Sequence, residues 1–143
     1  MARILIIEDD PSDREIAASA ARAAGFSMMD CASSNLSTFA HLKNGLAGTY
    51  PLPDAILVDL DLGFEQHHEV LGFCDSTPRL ARIPVVAWTQ RAARNLGRLR
   101  NVYSVSKWDG IGALSEALSE LASVPLPVTR HHRLGRVQFR DRT

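Results

Sequence analysis

Ala55-Ile56-Leu57-Val58-Asp59-Leu60-Asp61 decides how this chain is read. Four apolar residues run without alternation and then give way to carboxylates. An apolar run without alternation is the pattern of a strand covered on both faces, and its polar end puts charge at the strand's carboxyl terminus. The same pattern recurs on either side. Upstream, Arg3-Ile4-Leu5-Ile6-Ile7 ends in Glu8-Asp9-Asp10; downstream, Ile83-Pro84-Val85-Val86-Ala87-Trp88 ends in Thr89-Gln90, and Val102-Tyr103-Ser104-Val105 ends in Ser106-Lys107. Phe26 to Cys31 is a weaker strand.

Helix-length segments separate these runs. Pro11 opens the first, Ile16, Ala17, Ala20, Ala21 and Ala24 recur at helical spacing, and Gly25 stops it. Asn35 or Ser37 is placed to cap a second helix with Phe39, Leu42 and Leu46 on one face. Tyr50-Pro51-Leu52-Pro53 reads as a loop, Val70, Leu71 and Phe73 as a short third helix, and Arg91 to Arg100 as an Arg-rich fourth. Ile111, Leu114, Leu118 and Leu121 form the stripe of a last helix, with Asp109 as its expected cap. Strands alternating with helices need crossover connections. The expected fold class is therefore α/β, a doubly wound five-stranded parallel sheet of flavodoxin-like type.

In such a sheet, ligands bind beyond the carboxyl ends of the strands. Strand ends one and three should be neighbours, which brings Glu8, Asp9 and Asp59 together. Carboxylates ~4 Å apart repel by about 4 kcal/mol per pair at an effective dielectric near 20, so a hard divalent cation, Mg2+ by preference, is expected among them. Thr89 and Lys107 supply a hydroxyl and an ammonium on the other side, suited to the oxygens of a phosphoryl group on Asp59. Any one of these residues alone reads more simply as a turn, cap or solvated residue. The conjunction of strand ends is what marks a site.

The chain carries no net charge, yet residues 124–143 hold five Arg against one Asp, +4, and residues 1–123 hold eleven Lys or Arg against fifteen Asp or Glu, −4. An acidic body thus bears a basic tail. Leu134, Val137 and Phe139 interleave with that charge, which suits either a solvated terminus or a dimerising arm. No DNA-binding fold fits in about twenty residues, so nucleic acid is not an expected partner. Cys31 and Cys74 have no metal-ligand or paired spacing and read as reduced, partly buried thiols. No apolar run approaches the ~20 residues that span a bilayer and no signal peptide is seen, so a cytoplasmic protein without a membrane partner is expected.

At these residues the sequence resembles the response-regulator receiver family of two-component systems. The resemblance covers residues 3 to about 122 and rests on Ile4 to Asp10, Ala55 to Leu62, Ile83 to Thr89, and Val105-Ser106-Lys107. It implies a receiver domain over 1–123 followed by an arm or tail over 124–143. It implies that Asp59 accepts a phosphoryl group from a sensor histidine kinase, with possible self-catalysed phosphorylation and dephosphorylation but no other enzyme activity. It further implies that Glu8 and Asp9 bind Mg2+ with Asp59, that Asp61 gives its backbone carbonyl to the metal, and that Thr89 and Lys107 contact the phosphoryl oxygens. The run Thr77 to Val86, the Pro-bearing loop before the third strand and Glu69-Val70-Leu71 are similar to stand-alone regulators that partner phytochrome-type kinases. Output would then pass through a protein partner or a homodimer.

Departures from the family pattern support an alternative, a degenerate receiver that acts by interaction without phosphorylation. Gly63 stands where Pro is usual, His67 where Gly is usual, Trp108 where Pro follows the lysine, and Ser104 where a Tyr or Phe reports phosphorylation. Tyr103 is one residue off and should face the opposite side of the sheet. His67 and His68 read as a solvated loop pair. A metal-dependent phosphatase is the enzyme alternative suggested by Asp59-Leu60-Asp61. It lacks the later acidic motif such enzymes carry.

Overall fold

The computed structural model describes residues 2–61, 64–90, 101–123 and 138–139. The chain order is β1 (Arg3–Ile7), α1 (Pro11–Ala24), β2 (Met28–Ala32), α2 (Asn35–Leu46), β3 (Ala55–Asp59), α3 (Phe64–Ser76), α4 (Pro78–Ala81), β4 (Val85–Thr89), β5 (Val102–Ser106), α5 (Gly110–Ser123) and β6 (Gln138–Phe139). The sheet order is β2-β1-β3-β4-β5-β6; the first five strands pair in parallel and β6 pairs antiparallel with β5. The expected doubly wound five-stranded parallel sheet is present. The sixth strand is an addition, with Tyr103 opposite Phe139 on the outer edge of β5. The expected fourth helix over 91–100 and most of the tail lie outside the described residues.

Alternation along the strands sorts the core into two layers. Ile4, Ile6, Leu57, Val86, Tyr103 and Val105 pack with Ala17, Ala20, Ala21 and Ala24 of α1 and with Leu114, Ala117, Leu118 and Leu121 of α5. The alanine face of α1 lets the helix approach closely. Leu5, Ile7, Ile56, Val58, Val85 and Val102 pack on the other side with Leu42, Val70, Leu71, Cys74 and Leu80. Fully burying a Leu or Ile side chain stabilises by about 1.5–3 kcal/mol, so this two-sided burial is what fixes the register.

Local signals set the helix ends. Asp10 is the N-cap of α1, accepting from the Asp13 N–H at 2.8 Å, with Pro11 in the first turn. Gly25 ends it at φ +108°, a left-handed conformation that lets its N–H reach the Ala21 and Arg22 carbonyls. Ser34, rather than Asn35 or Ser37, caps α2; Ser34 and Ser37 each accept from the other's backbone N–H at 3.1 Å. The turn after β5 is a 3-10 turn, Lys107–Asp109, capped by the Ser106 hydroxyl, and it leads directly into α5 at Gly110. The third helix is longer than expected and takes in His67 and His68, so this pair is helical and not a loop; His68 is exposed. Cys31 is exposed, against expectation, because it lies on the edge strand β2, while Cys74 is buried; both are free. Among the described residues no helix is long and apolar enough to cross a membrane.

Candidate functional site

Ile7 of β1 is in register with Val58 of β3, so the next residues, Glu8 and Asp59, come side by side at the carboxyl edge. The chain leaves β1 toward β2 on one side and returns through β3 on the other, which makes this the crevice where ligands collect in doubly wound sheets. Both carboxylates are buried, at 2% and 4% exposure. The Asp10 cap folds the first turn of α1 back over the strand end and brings in Asp13. One ligand oxygen from each of Glu8, Asp13 and Asp59 falls within 4.8 Å of the others.

This group is electrostatically incomplete. Glu8 Oε1 accepts from the Asp10 N–H at 3.0 Å, but Oε2 is buried with no donor supplied by the described residues. Burial first, and then the hydrogen bond with Asp59, pushes the Glu8 carboxyl up to about 9. Glu8 is therefore the member of the pair that holds a proton more readily. Burial pushes Asp59 the other way from its neighbours; hydrogen bonds from Glu8, Lys107 and the Asp61 N–H outweigh that burial and hold Asp59 below the usual carboxylate range. Asp59 is thus the ionised member of the pair. An orphaned buried carboxylate oxygen beside two more acidic groups fits a hard cation with oxygen ligands, which replaces the proton.

The other half of the edge is organised by hydrogen bonds and ion pairs around Lys107 and Asp61. Asp59 of β3 is in register with Trp88 of β4, and Lys107 follows β5 in the 3-10 turn. Lys107 Nζ donates to Asp59 Oδ2 at 2.8 Å, pairs with Asp61 Oδ2 at 2.9 Å, and sits 4.6 Å from the centroid of the Trp88 ring. Desolvation works against its charge, but these two carboxylates overcome it and raise its pKa. Asp61 Oδ1 accepts from the Thr89 hydroxyl and from the Gln90 N–H, each at 2.8 Å. Trp108 is 78% exposed, and its Nε1 donates to the Gln90 carbonyl at 3.1 Å.

The structure brings Glu8, Asp59, Asp61, Thr89 and Lys107 to one edge. Asp9 is exposed and stands outside the three-carboxylate group, where Asp13 takes a place. Sequence reasoning passed over Asp13, whose position in a first helical turn is explained by capping and the helix dipole. The signal that finds it is Asp10, whose cap fixes the direction of that turn. Gln90 contributes through its backbone N–H, which no side-chain pattern reveals. Ser104 is buried, and Tyr103 packs on the α1–α5 side of β5 with its hydroxyl 3.1 Å from Asn101 Oδ1, so the two face opposite ways as expected. Gly63 and the side chain of His67 lie outside the described residues.

No protein-family model and no curated protein matches the chain. Solved structures do. The response regulator Rcp1 in its Mn2+-bound form is 24% identical with a TM-score of 0.68, over 90% of this chain and 100% of that one. The phosphorylated cyanobacterial phytochrome response regulator RcpA is 23% identical with a TM-score of 0.68, over 89% and 99%. These likenesses define the fold: the chain has the receiver fold of response regulators. The solved structures similar to it include phytochrome response regulators, among them the bacteriophytochrome regulator AtBRR, at 22% identity and a TM-score of 0.63 over 90% and 97%.

Proposed function

We propose that this chain is a response-regulator receiver in which Asp59 accepts a phosphoryl group from a sensor histidine kinase. The observation that supports this most is the state of Asp59: buried, ionised, in the crevice between β1 and β3, with Lys107 Nζ at 2.8 Å. An Asp59 oxygen attacks phosphorus, the phosphorus–nitrogen bond of the phosphohistidine breaks, and its electron pair stays on the imidazole. Lys107 and the Thr89 hydroxyl then face the charge that arrives. Glu8, Asp13 and Asp59 would hold Mg2+, with Asp9 and the Asp61 carbonyl as the further oxygens that the sequence suggests. When bound, the ion neutralises charge on the transferring group.

Intact mass after incubation with Mg2+ and acetyl phosphate tests the acceptor. A gain of ~80 Da is expected on the wild type and none on Asp59→Ala. An adduct that survives in Asp59→Ala ends this reading.

The kinase partner is read as phytochrome-type, on the loop resemblance and on phytochrome regulators being among the similar structures. The division into a receiver over 1–123 and an arm over 124–143 is supported by the pairing of β6 with β5 beyond the last helix. The same edge pairing made with a second copy would close a homodimer by exchange of the arm. Sedimentation of the full chain against a chain ending at Ser123 checks this, the shorter one being expected as a monomer. We place the protein in the cytoplasm, in keeping with such a partner. The degenerate-receiver reading has one observation in its favour: Lys107 and Thr89 already have an anionic partner in Asp61.

A further inference from the structure

We infer that the Asp61 carboxylate is a resident anion in the phosphoryl-oxygen site, one that must be displaced when Asp59 is phosphorylated and that therefore slows the reaction. This rests on the reading of Asp59 as acceptor. A phosphoryl group on Asp59 brings three strong acceptor oxygens and roughly 1.5 to 2 negative charges, and it needs donors. The donors at this edge are the Thr89 hydroxyl, the Gln90 N–H and Lys107 Nζ, and each lies 2.8–2.9 Å from an Asp61 carboxylate oxygen. A carboxylate and a phosphoryl group recruit such donors by the same charge-assisted hydrogen bonds.

The geometry also shows what has to move. The Asp61 side chain is only 16% exposed, so it is seated in the site and not turned to solvent. Its main chain is tied to the acceptor, because the Asp61 N–H donates to Asp59 Oδ1 at 2.9 Å. Displacement therefore falls on the side chain, by rotation about its own bonds. The Gln90 main chain is held at both ends, its N–H by Asp61 and its carbonyl by Trp108 Nε1 at 3.1 Å. Departure of the Asp61 carboxylate hands the N–H to the phosphoryl group and leaves the Trp108 clamp in place.

Full-length wild type, Asp61→Asn and Asp61→Ala, each with Mg2+ and acetyl phosphate, provide the test. An Asp59 oxygen bonds to phosphorus, the bond from phosphorus to the acetate oxygen breaks, and acetate leaves with the electron pair. The ~80 Da adduct should form about fivefold faster or more on Asp61→Ala, with the near-isosteric Asp61→Asn between it and wild type, since Asn keeps an acceptor oxygen but loses the charge. A rate on both variants equal to or below wild type overturns the inference. If no protein gains mass, the acceptor reading fails, and the inference is decided by orthophosphate alone. In that case 15N-labelled Asp59→Asn and Asp59→Asn/Asp61→Ala are titrated with phosphate while the Gln90 amide resonance is followed. The double variant should respond at about tenfold lower phosphate; equal response, or none, overturns the inference.

Discussion

The two halves of the sheet's carboxyl edge are built from the same kinds of residue and end in opposite electrostatic conditions. On the β1 side, Glu8, Asp13 and Asp59 crowd within 4.8 Å, and burial beside Asp59 pushes the Glu8 carboxyl up to about 9. On the β5 side, Lys107 pairs with both Asp59 and Asp61. One half gathers carboxylates, and the other matches its carboxylates with a lysine. A ligand that carries both a divalent cation and an anion corrects the first and must compete with the second. On the proposed function, that ligand is a phosphoryl group arriving with Mg2+.

The largest expected effect comes from removing the one cation the halves share. Lys107→Ala leaves Asp59, 3% exposed, and Asp61 without their counter-charge. Breaking a buried pair in this way costs about 3 kcal/mol, read as a lowered urea midpoint in metal-free buffer at pH 7. The sign follows from Asp59. A carboxyl held below its unfolded value contributes stability above that unfolded value, and the contribution is lost as pH falls through the folded value. The deficit of Lys107→Ala should accordingly shrink on acidification toward and below the ordinary carboxylate range. A deficit that stays constant from pH 7 down to pH 3 would show that the two halves are not coupled through Lys107.

Next in size is the pH dependence of Mg2+ binding. The Glu8 carboxyl, pushed up to about 9, must lose its proton before both its oxygens can serve a cation. Apparent Mg2+ affinity, followed by tryptophan fluorescence, should rise with pH by up to roughly tenfold per unit below that value. In the metal-free protein the linkage runs the other way. The folded state binds a proton that the unfolded state has lost between 4.5 and about 9, so stability falls as pH rises through that window. Glu8→Gln should flatten both profiles. Mg2+ binding that stays flat with pH in the wild type contradicts a raised Glu8 carboxyl.

The strand ends were legible because hydrophobic burial writes them plainly. Ile4 to Ile7 and Ala55 to Val58 are apolar on both faces, and the first polar residue after each has nowhere to go but the carboxyl edge. That logic places Glu8, Asp59, Thr89 and Lys107 without any structure. It fails for Asp61 and Asp13, which lie beyond the strand ends, where alternation no longer dictates direction. Asp61 was read through its backbone carbonyl, yet its side chain turns to Thr89 and Lys107 because three donors converge there. Asp13 joins Glu8 and Asp59 from a helical turn that the Asp10 cap shapes, while Asp9 is exposed. The sixth strand was illegible for a different reason: a two-residue pairing on an edge draws on main-chain groups, and Gln138-Phe139 carries no strand pattern of its own.

The smallest effect tests whether the half around Lys107 owes its order to Trp88 as well as to charge. Lys107 Nζ lies 4.6 Å from the centroid of the Trp88 ring, within the range of a cation–π contact, while Trp88 Nε1 is buried with no partner among the described residues. The ring face therefore holds the lysine from the side that Asp59 and Asp61 leave open, and the unpaired indole N–H works against it. Single substitutions confuse these contributions with the cavity left by a lost indole. A double-mutant cycle of Trp88→Leu with Lys107→Met removes that confusion, because the cavity cost is common to both Leu variants. A coupling of about 1 kcal/mol in urea unfolding is expected for a partly desolvated contact of this kind. Trp88→Phe, which keeps a ring face and deletes the orphaned donor, should lie closer to wild type than Trp88→Leu. A coupling indistinguishable from zero would assign the position of Lys107 to the two carboxylates alone, and the contrast between the halves would then be purely one of charge.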